Sequence, residues 1–220
     1  MKYVLAALPV TLAVFASALG APAALSAQPA ASAAPTTLAA TEPTLEAVMA
    51  ATERFKDVNV ALAEGYIPDP MNTCETADMQ GRPAELGAMG VHYFRPDLLQ
   101  ITGVEPRVDG TGTHTDFLSP AVLIYEPQAD GSLELVAVEN LAFMAAWEAA
   151  GNESGPTFLG VEYDRMVDDP ATPDVDEAHH FEPHYDLHVW LYRDNPNGMF
   201  SQFNPAASCE HHVAEGDHGH

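Results

Sequence analysis

Basic residues are scarce in this chain. Eight Lys and Arg stand against 32 Asp and Glu, a formal net charge of −24 at pH 7. That balance disfavours nucleic acids and anionic membrane surfaces as partners, because all of them are polyanions. Cysteine is scarce too: Cys74 and Cys209 are the full complement, and neither sits in a C-x-x-C pattern. There is no P-loop and no Gly-x-Gly-x-x-Gly, so nucleotide binding has no support. Ser154 lies in Gly151-Asn152-Glu153-Ser154-Gly155, which is not a nucleophile elbow. The acidic run Asp168, Asp169, Asp174, Asp176 and Glu177 lacks the glycine and spacing of an EF-hand loop and reads as a solvated loop. Beyond the N-terminus, no segment approaches the ~18 consecutive apolar residues of a membrane span.

The N-terminus has the plan of an export signal: Lys2, an apolar stretch over residues 3–19, then a run rich in Ala, Pro, Gly and Ser. Cleavage is expected after Gly20, Ala23 or Ala27, giving a signal peptide over residues 1–27; the alternative is an uncleaved anchor. Residues 28–43, nearly all Ala, Pro, Thr, Ser and Gln, read as a disordered linker. Residues 44–209 then form one domain, and residues 210–220 a His-rich disordered tail. The mature protein is expected to be periplasmic or secreted, without membrane insertion. Removing Lys2 leaves seven basic against 32 acidic residues, a net −25. A salty medium, attraction of cations, or a plain solvated surface would each account for such acidity. In an oxidising compartment Cys74 and Cys209 are expected to bridge, constraining the unfolded chain by roughly 4–5 kcal/mol. The alternative is a cysteine acting as metal ligand or nucleophile.

Leu45, Val48, Met49, Thr52, Phe55, Asn59 and Leu62 follow a helical period with two polar breaks, which predicts one amphipathic helix over residues 44–64. Strands are expected over residues 91–95, 121–126, 133–139, 157–163 and 184–192. Asp130-Gly131 turns the second into the third as an antiparallel hairpin. A short helix is expected over residues 141–150. The fold class is mostly β (α+β): an antiparallel barrel, sandwich or roll with one N-terminal helix.

What the chain has in abundance is histidine near its end. Eight of its ten histidines lie in the last fifth, and residues 177–188 hold four imidazoles and three carboxylates. Imidazole with carboxylate is the ligand set of Zn, Cu, Ni and non-haem Fe. A strand at residues 184–192 puts His184, Asp186, His188, Trp190 and Tyr192 on one face and Tyr185, Leu187, Val189 and Leu191 on the other. Residues two apart, about 6.6–6.8 Å between Cα atoms, can converge on one ion. Residues four apart, about 13 Å, cannot unless the strand bends. The regular pairs are therefore His184 with Asp186, or Asp186 with His188. Completing the site from elsewhere, His92 and Glu139 are the candidates. The preferred constellation is His92, Glu139, His184 and His188, with Asp186 as an additional ligand or its support. The competing reading is an ordinary polar face in which these groups hydrogen-bond one another. His179 and His180 read as loop residues, and with His211, His212, His218 and His220 of the tail they form a possible secondary metal set. His114 reads as exposed.

Met89-Gly90-Val91-His92-Tyr93, His184-Tyr185-Asp186-Leu187-His188-Val189-Trp190 and Asn195-Pro196-Asn197-Gly198-Met199-Phe200, followed by Asn204-Pro205 and Cys209, resemble an uncharacterised family of exported bacterial proteins. The resemblance runs from about Phe55 to Cys209. It implies export and a single domain, and supplies no mechanism. Three functions stay open. The first is an exported metal-binding protein that buffers or delivers Cu or Zn. The second is a cupin-like metal-dependent enzyme acting on a small molecule, although the usual His-x-His is replaced by His-x-Asp-x-His. The third is a metal-free binding module in which Trp190 and Tyr192 stack on a small ligand.

Overall fold

The run Val122-Leu123-Ile124-Tyr125 is β-branched and aromatic, buried on both faces, and becomes an interior strand of the main sheet. The structure, a computed structural model, describes residues 42–213. The signal peptide, most of the linker and the end of the tail lie outside the described residues. In chain order the main elements are α1 (Leu45–Thr52), α2 (Val58–Ala63), β1 (Ile67–Pro68), β2 (Cys74–Thr76), β3 (Ala88–Phe94), α3 (Pro96–Leu99), β4 (Ile101–Gly103), β5 (Asp109–Gly110), β6 (Val122–Pro127), β7 (Leu133–Phe143), α4 (Met144–Ala149), β8 (Thr157–Phe158), β9 (Val161–Glu162), β10 (Asp164–Met166) and β11 (His184–Val189).

Seven strands make one antiparallel sheet in the order β1-β3-β6-β7-β11-β10, with β2 also paired to β3. The order has two ends and no pairing closes it, so the protein is mostly β without a closed barrel among the described residues. The hairpin expected around Asp130-Gly131 is β6–β7, with Gly131 at φ 81 and the Gln128 amide closing the turn onto Ser132 O at 2.9 Å. Two small hairpins, β4–β5 and β8–β9, stand apart from the sheet.

One face of the sheet carries Leu123, Tyr125, Val138, Leu187 and Val189, packed against Val48, Phe55 and Ala61 of the N-terminal helical segment. The opposite face carries Phe94, Val122, Ile124, Ala137, Leu141 and Phe143, covered by Leu99, Val108 and Phe181. The register between β6 and β7 shifts after Ile124, a bulge that lets Val136 join this second layer while Leu135 packs on the first.

Three expected elements differ in detail. The helix over residues 44–64 is broken: α1 ends at Thr52, a 3-10 turn spans Glu53–Lys56, and Asp57 is extended and caps α2 through the Asn59 amide at 3.0 Å. A side chain that bonds its own backbone two residues on competes with a continuous helix, and the polar breaks in the period mark the place. β7 runs four residues beyond Glu139, because Leu141 and Phe143 pair with Asp186 and His184 of β11; α4 therefore starts only at Met144. The strand over residues 157–163 is instead the β8–β9 hairpin, turned by Leu159 (φ 49) and Gly160 (φ 78).

The bridge between Cys74 and Cys209 is formed, with Cα atoms 5.7 Å apart across 135 residues of sequence. It ties β2 to the end of the domain. Among the described residues no helix is long and apolar enough to cross a membrane.

Candidate metal centre

Strand register brings the histidines together. His92 on β3 pairs with Ile124 of β6, which pairs with Ala137 of β7. Glu139 lies two residues further along β7, on the same face, and pairs with His188 of β11. Asp186 and His184 follow at two-residue steps on β11. All five therefore project from the second face of the sheet. A sixth ligand-type residue, His179, comes from the loop before β11 and folds over them, its ring centroid 5.1 Å from that of His184 and 5.9 Å from that of His92.

The six residues are buried, none more than 4 % exposed. Buried polar groups almost always find partners. Here His92 Nε2, both oxygens of Glu139 and of Asp186, both ring nitrogens of His179 and His188, and His184 Nε2 find none among the described residues. Their spacing is that of ligands rather than hydrogen-bond partners. His92 Nε2 lies 3.4 Å and His188 Nε2 3.6 Å from Glu139 Oε2, and His184 Nε2 lies 3.9 Å from Asp186 Oδ2. A charge-assisted hydrogen bond is about 2.7–2.9 Å. Two ligands about 2.0–2.1 Å from one tetrahedral ion stand about 3.3–3.4 Å apart.

The atoms fall into two triads, His92 with Glu139 and His188, and His179 with His184 and Asp186; within each, the ligand atoms lie within 4.8 Å of one another. The expected constellation is thus divided. His184 and His188 do not share a triad, because β11 is a regular strand over both and holds them four residues apart. Asp186 joins His184, as the two-residue spacing allows.

Three of the four imidazoles and Glu139 are in the charge states a cation needs, whereas His92 and Asp186 would give up a proton to bind one. Burial pushes the pKa of His184 and of His188 down to about 4, and that of His179 well below its ordinary value, so these rings are neutral with free lone pairs. The Nδ1–H of His184 donates to Glu182 O at 2.9 Å, which aims Nε2 at Asp186. Burial opposes charge on His92, yet the Glu139 carboxylate more than compensates and holds its pKa up. Burial opposes charge on Glu139 as well, and the surrounding imidazoles, His188 and His92 foremost, outweigh it and hold the carboxyl below the usual range. Burial, reinforced by the Glu139 and Asp164 carboxylates, drives Asp186 well above the ordinary carboxylate value.

No protein-family model, curated protein or solved structure matches this chain. The site's reading therefore rests on its own geometry.

The loop that supplies His179 is pinned rather than draped. Arg107 donates to Phe181 O at 2.7 Å, to Asp168 at 2.7 Å and to Asp176 at 2.8 Å. Val108 and residues 180–182 exchange backbone hydrogen bonds of 2.8 and 2.9 Å. His179 and His180 sit at φ 38 and φ 70, left-handed positions that a non-glycine residue holds only when its surroundings fix it. Two aspartates of the acidic run are thereby structural, as the partners of Arg107.

The remaining sequence candidates go elsewhere. His180 points to the rim, its Nδ1 3.4 Å from Asp176 Oδ2. The His212 ring donates to Asn72 O at 2.7 Å, His211 is exposed, and His218 and His220 lie outside the described residues. His114 donates to Ser119 O at 2.7 Å. Trp190 is buried, stacked on His188 with centroids 6.4 Å apart, whereas Tyr192 reaches the helical side to bond Thr52 at 2.8 Å. The two aromatics share no platform for a small ligand, because the strand ends at Val189 and the chain turns. Sequence reasoning passed over Glu75, paired with Gly90 two residues from His92. Burial lifts its pKa against the pull of His92 and His180, and its position inside the adjoining strand carried no motif.

Proposed function

We propose that this is an exported metal-binding protein that buffers or delivers a divalent transition metal, Zn or Cu, held in the folded domain by His92, Glu139 and His188. The observation that carries the reading is a set of buried imidazole and carboxylate atoms with no hydrogen-bond partner among the described residues, in which His92 Nε2 and His188 Nε2 stand 3.4 and 3.6 Å from Glu139 Oε2. An apolar cavity needs no such groups, and a hydrogen-bonded polar face would not leave them unpaired. Two imidazoles and one carboxylate match the borderline character of Zn(II) and Cu(II). Export rests on the N-terminal leader pattern and agrees with the disulfide.

A metal-dependent enzyme is the second reading. It is favoured by a cleft of about 510 Å³ against β10, lined by Met166, Gln80, Gln202 and Phe203, since Met166 pairs with His184 of the second triad. Three protein ligands also leave a coordination position free for water or substrate.

Elemental analysis of untagged native protein, beside a form ending at Cys209, tests the first reading. Metal retained by the shorter form is expected. Metal lost with the tail, or absent from both forms after soaking and desalting, overturns it.

A further inference from the structure

The second triad has a claim of its own. His184 and Asp186 project from alternate positions of one strand, and His179 closes over them from a loop held by Arg107. In this group His184 Nε2, both Asp186 oxygens and both His179 nitrogens are buried without partners. A residue that merely supported the first triad would hydrogen-bond one of its ligands. None of these three does: the single ring contact fixed by a hydrogen bond is His184 Nδ1–H to the Glu182 carbonyl, and His184 Nε2 stands 3.9 Å from Asp186 Oδ2. The left-handed backbone at His179 is a further sign that the loop is held in place for its side chain.

We infer that the domain holds two metal ions side by side in one buried cavity, the second bound by His179, His184 and Asp186. This rests on the metal-binding reading of the first triad and extends it from a mononuclear to a paired site. Each ion takes two imidazoles and one carboxylate, so both positions accept the same class of borderline divalent cation. The carboxyl groups of Glu139 and Asp186 lie on adjacent strands of the same sheet, β7 and β11, one for each ion.

The test is zinc stoichiometry of the full-length protein and its variants after chelation, reloading with Zn(II) and desalting. The tail histidines are common to every variant and cancel in the differences. Asp186→Asn and, separately, His179→Gln are each expected to lose one zinc per chain relative to the wild type. Glu139→Gln is expected to lose one, and Glu139→Gln with Asp186→Asn to lose two. Full zinc content in both Asp186→Asn and His179→Gln, with one lost in Glu139→Gln, overturns the second site and leaves the first standing. A double variant that loses only one zinc means that the six residues share a single ion, which also overturns the pair. No loss in any variant overturns both readings. Far-UV circular dichroism accompanies each measurement, and His179→Gln, a loop substitution, carries the test if the Asp186 variant does not fold.

Discussion

Chelated protein should lose stability steeply in mild acid, and the size of the effect follows from the cavity. Burial holds His184 and His188 at about 4 and His179 well below its ordinary value, against about 6.5 in the unfolded chain. Below pH 6.5 unfolding therefore takes up three protons at these rings. Asp186, whose folded pKa is well above the carboxylate range, releases one on unfolding. His92 is protonated in both states there and contributes nothing. Glu75, whose pKa burial also lifts, releases part of another, so the unfolded state binds a net of between one and two protons more, and stability rises with pH by about 2 kcal/mol per pH unit between about pH 4.5 and 6. The sign follows from the depressed histidine pKa values: their contribution is complete above about 6.5 and is lost as pH falls toward 4. Above 6.5 the raised pKa values of His92 and Asp186 reverse the slope, so a maximum is expected near there. Over 1.5 pH units in the acid limb the loss is about 3 kcal/mol, a large part of the ~5–15 kcal/mol of an ordinary domain. Urea unfolding in EDTA, followed by circular dichroism at pH 5.0, 5.5, 6.0 and 6.5, measures it. Salt near 1 M suppresses the separate contribution of surface carboxylate repulsion by cutting the Debye length to about 3 Å. His188→Gln should remove one of the protons and lower the slope by about 1.4 kcal/mol per pH unit. A flat or inverted profile in the wild type would refute the reasoning, because it would mean that the rings are solvated or already charged. Saturating Zn(II) should lift the whole curve, by about 4 kcal/mol at a thousand times Kd.

Two further outcomes follow from elements around the site. Replacing Cys74 and Cys209 by serine opens a loop of 135 residues and should cost about 5 kcal/mol, which moves the urea midpoint by about 2 M; a shift below about 0.5 M would contradict the chain-entropy account. Arg107→Ala removes three hydrogen bonds that hold the segment carrying His179, so amide exchange at residues 178–182 and metal loss to a chelator should both accelerate; unchanged rates of both would show that Arg107 is not what fixes the loop.

The sheet was legible where one residue type repeats along a strand. Residues 121–126 and 133–139 with Asp130-Gly131 between them specify β6, β7 and their turn, because two short apolar runs and a positive-φ glycine act locally. The helix over residues 44–64 was overread for a related reason: the period is present, but Asp57 caps the next turn and Thr52 bonds both Val48 O and Tyr192, contacts that a one-dimensional pattern does not contain. At the site, the spacing rule for strands joins His184 to Asp186, while the preferred constellation keeps His184 and His188 together against that rule and is divided by the regular strand. His92 and Glu139 were reachable from strand faces alone. His179 was not, because its role depends on a loop conformation fixed by Arg107, 72 positions away in sequence. Nor did the sequence distinguish His179 from its neighbour His180, which one backbone step sends toward the half-buried Asp176.

Burial decides how such a site exchanges its cargo. His92 and Glu139 sit on β3 and β7, each paired on both sides within the sheet, and His188 on β11 pairs with Glu139 itself, so moving any of them means breaking the ladder hydrogen bonds of the central sheet. Openings that costly occur with free energies near that of global unfolding. His179 is held by a loop, and its attachments are the Arg107 fan and two backbone bonds to Val108. The cheapest route to the cavity is therefore through the segment between β10 and β11. The same segment carries Asp168, Asp169, Asp174 and Asp176, which place negative charge at its outer surface, where an approaching cation gains most from it. As the proposed carrier, the protein would trade rate for retention. Its affinity would be set by ligands on rigid strands and its exchange rate by one loop, so substitutions at Arg107 should change the rate of metal loss far more than the amount of metal bound at equilibrium.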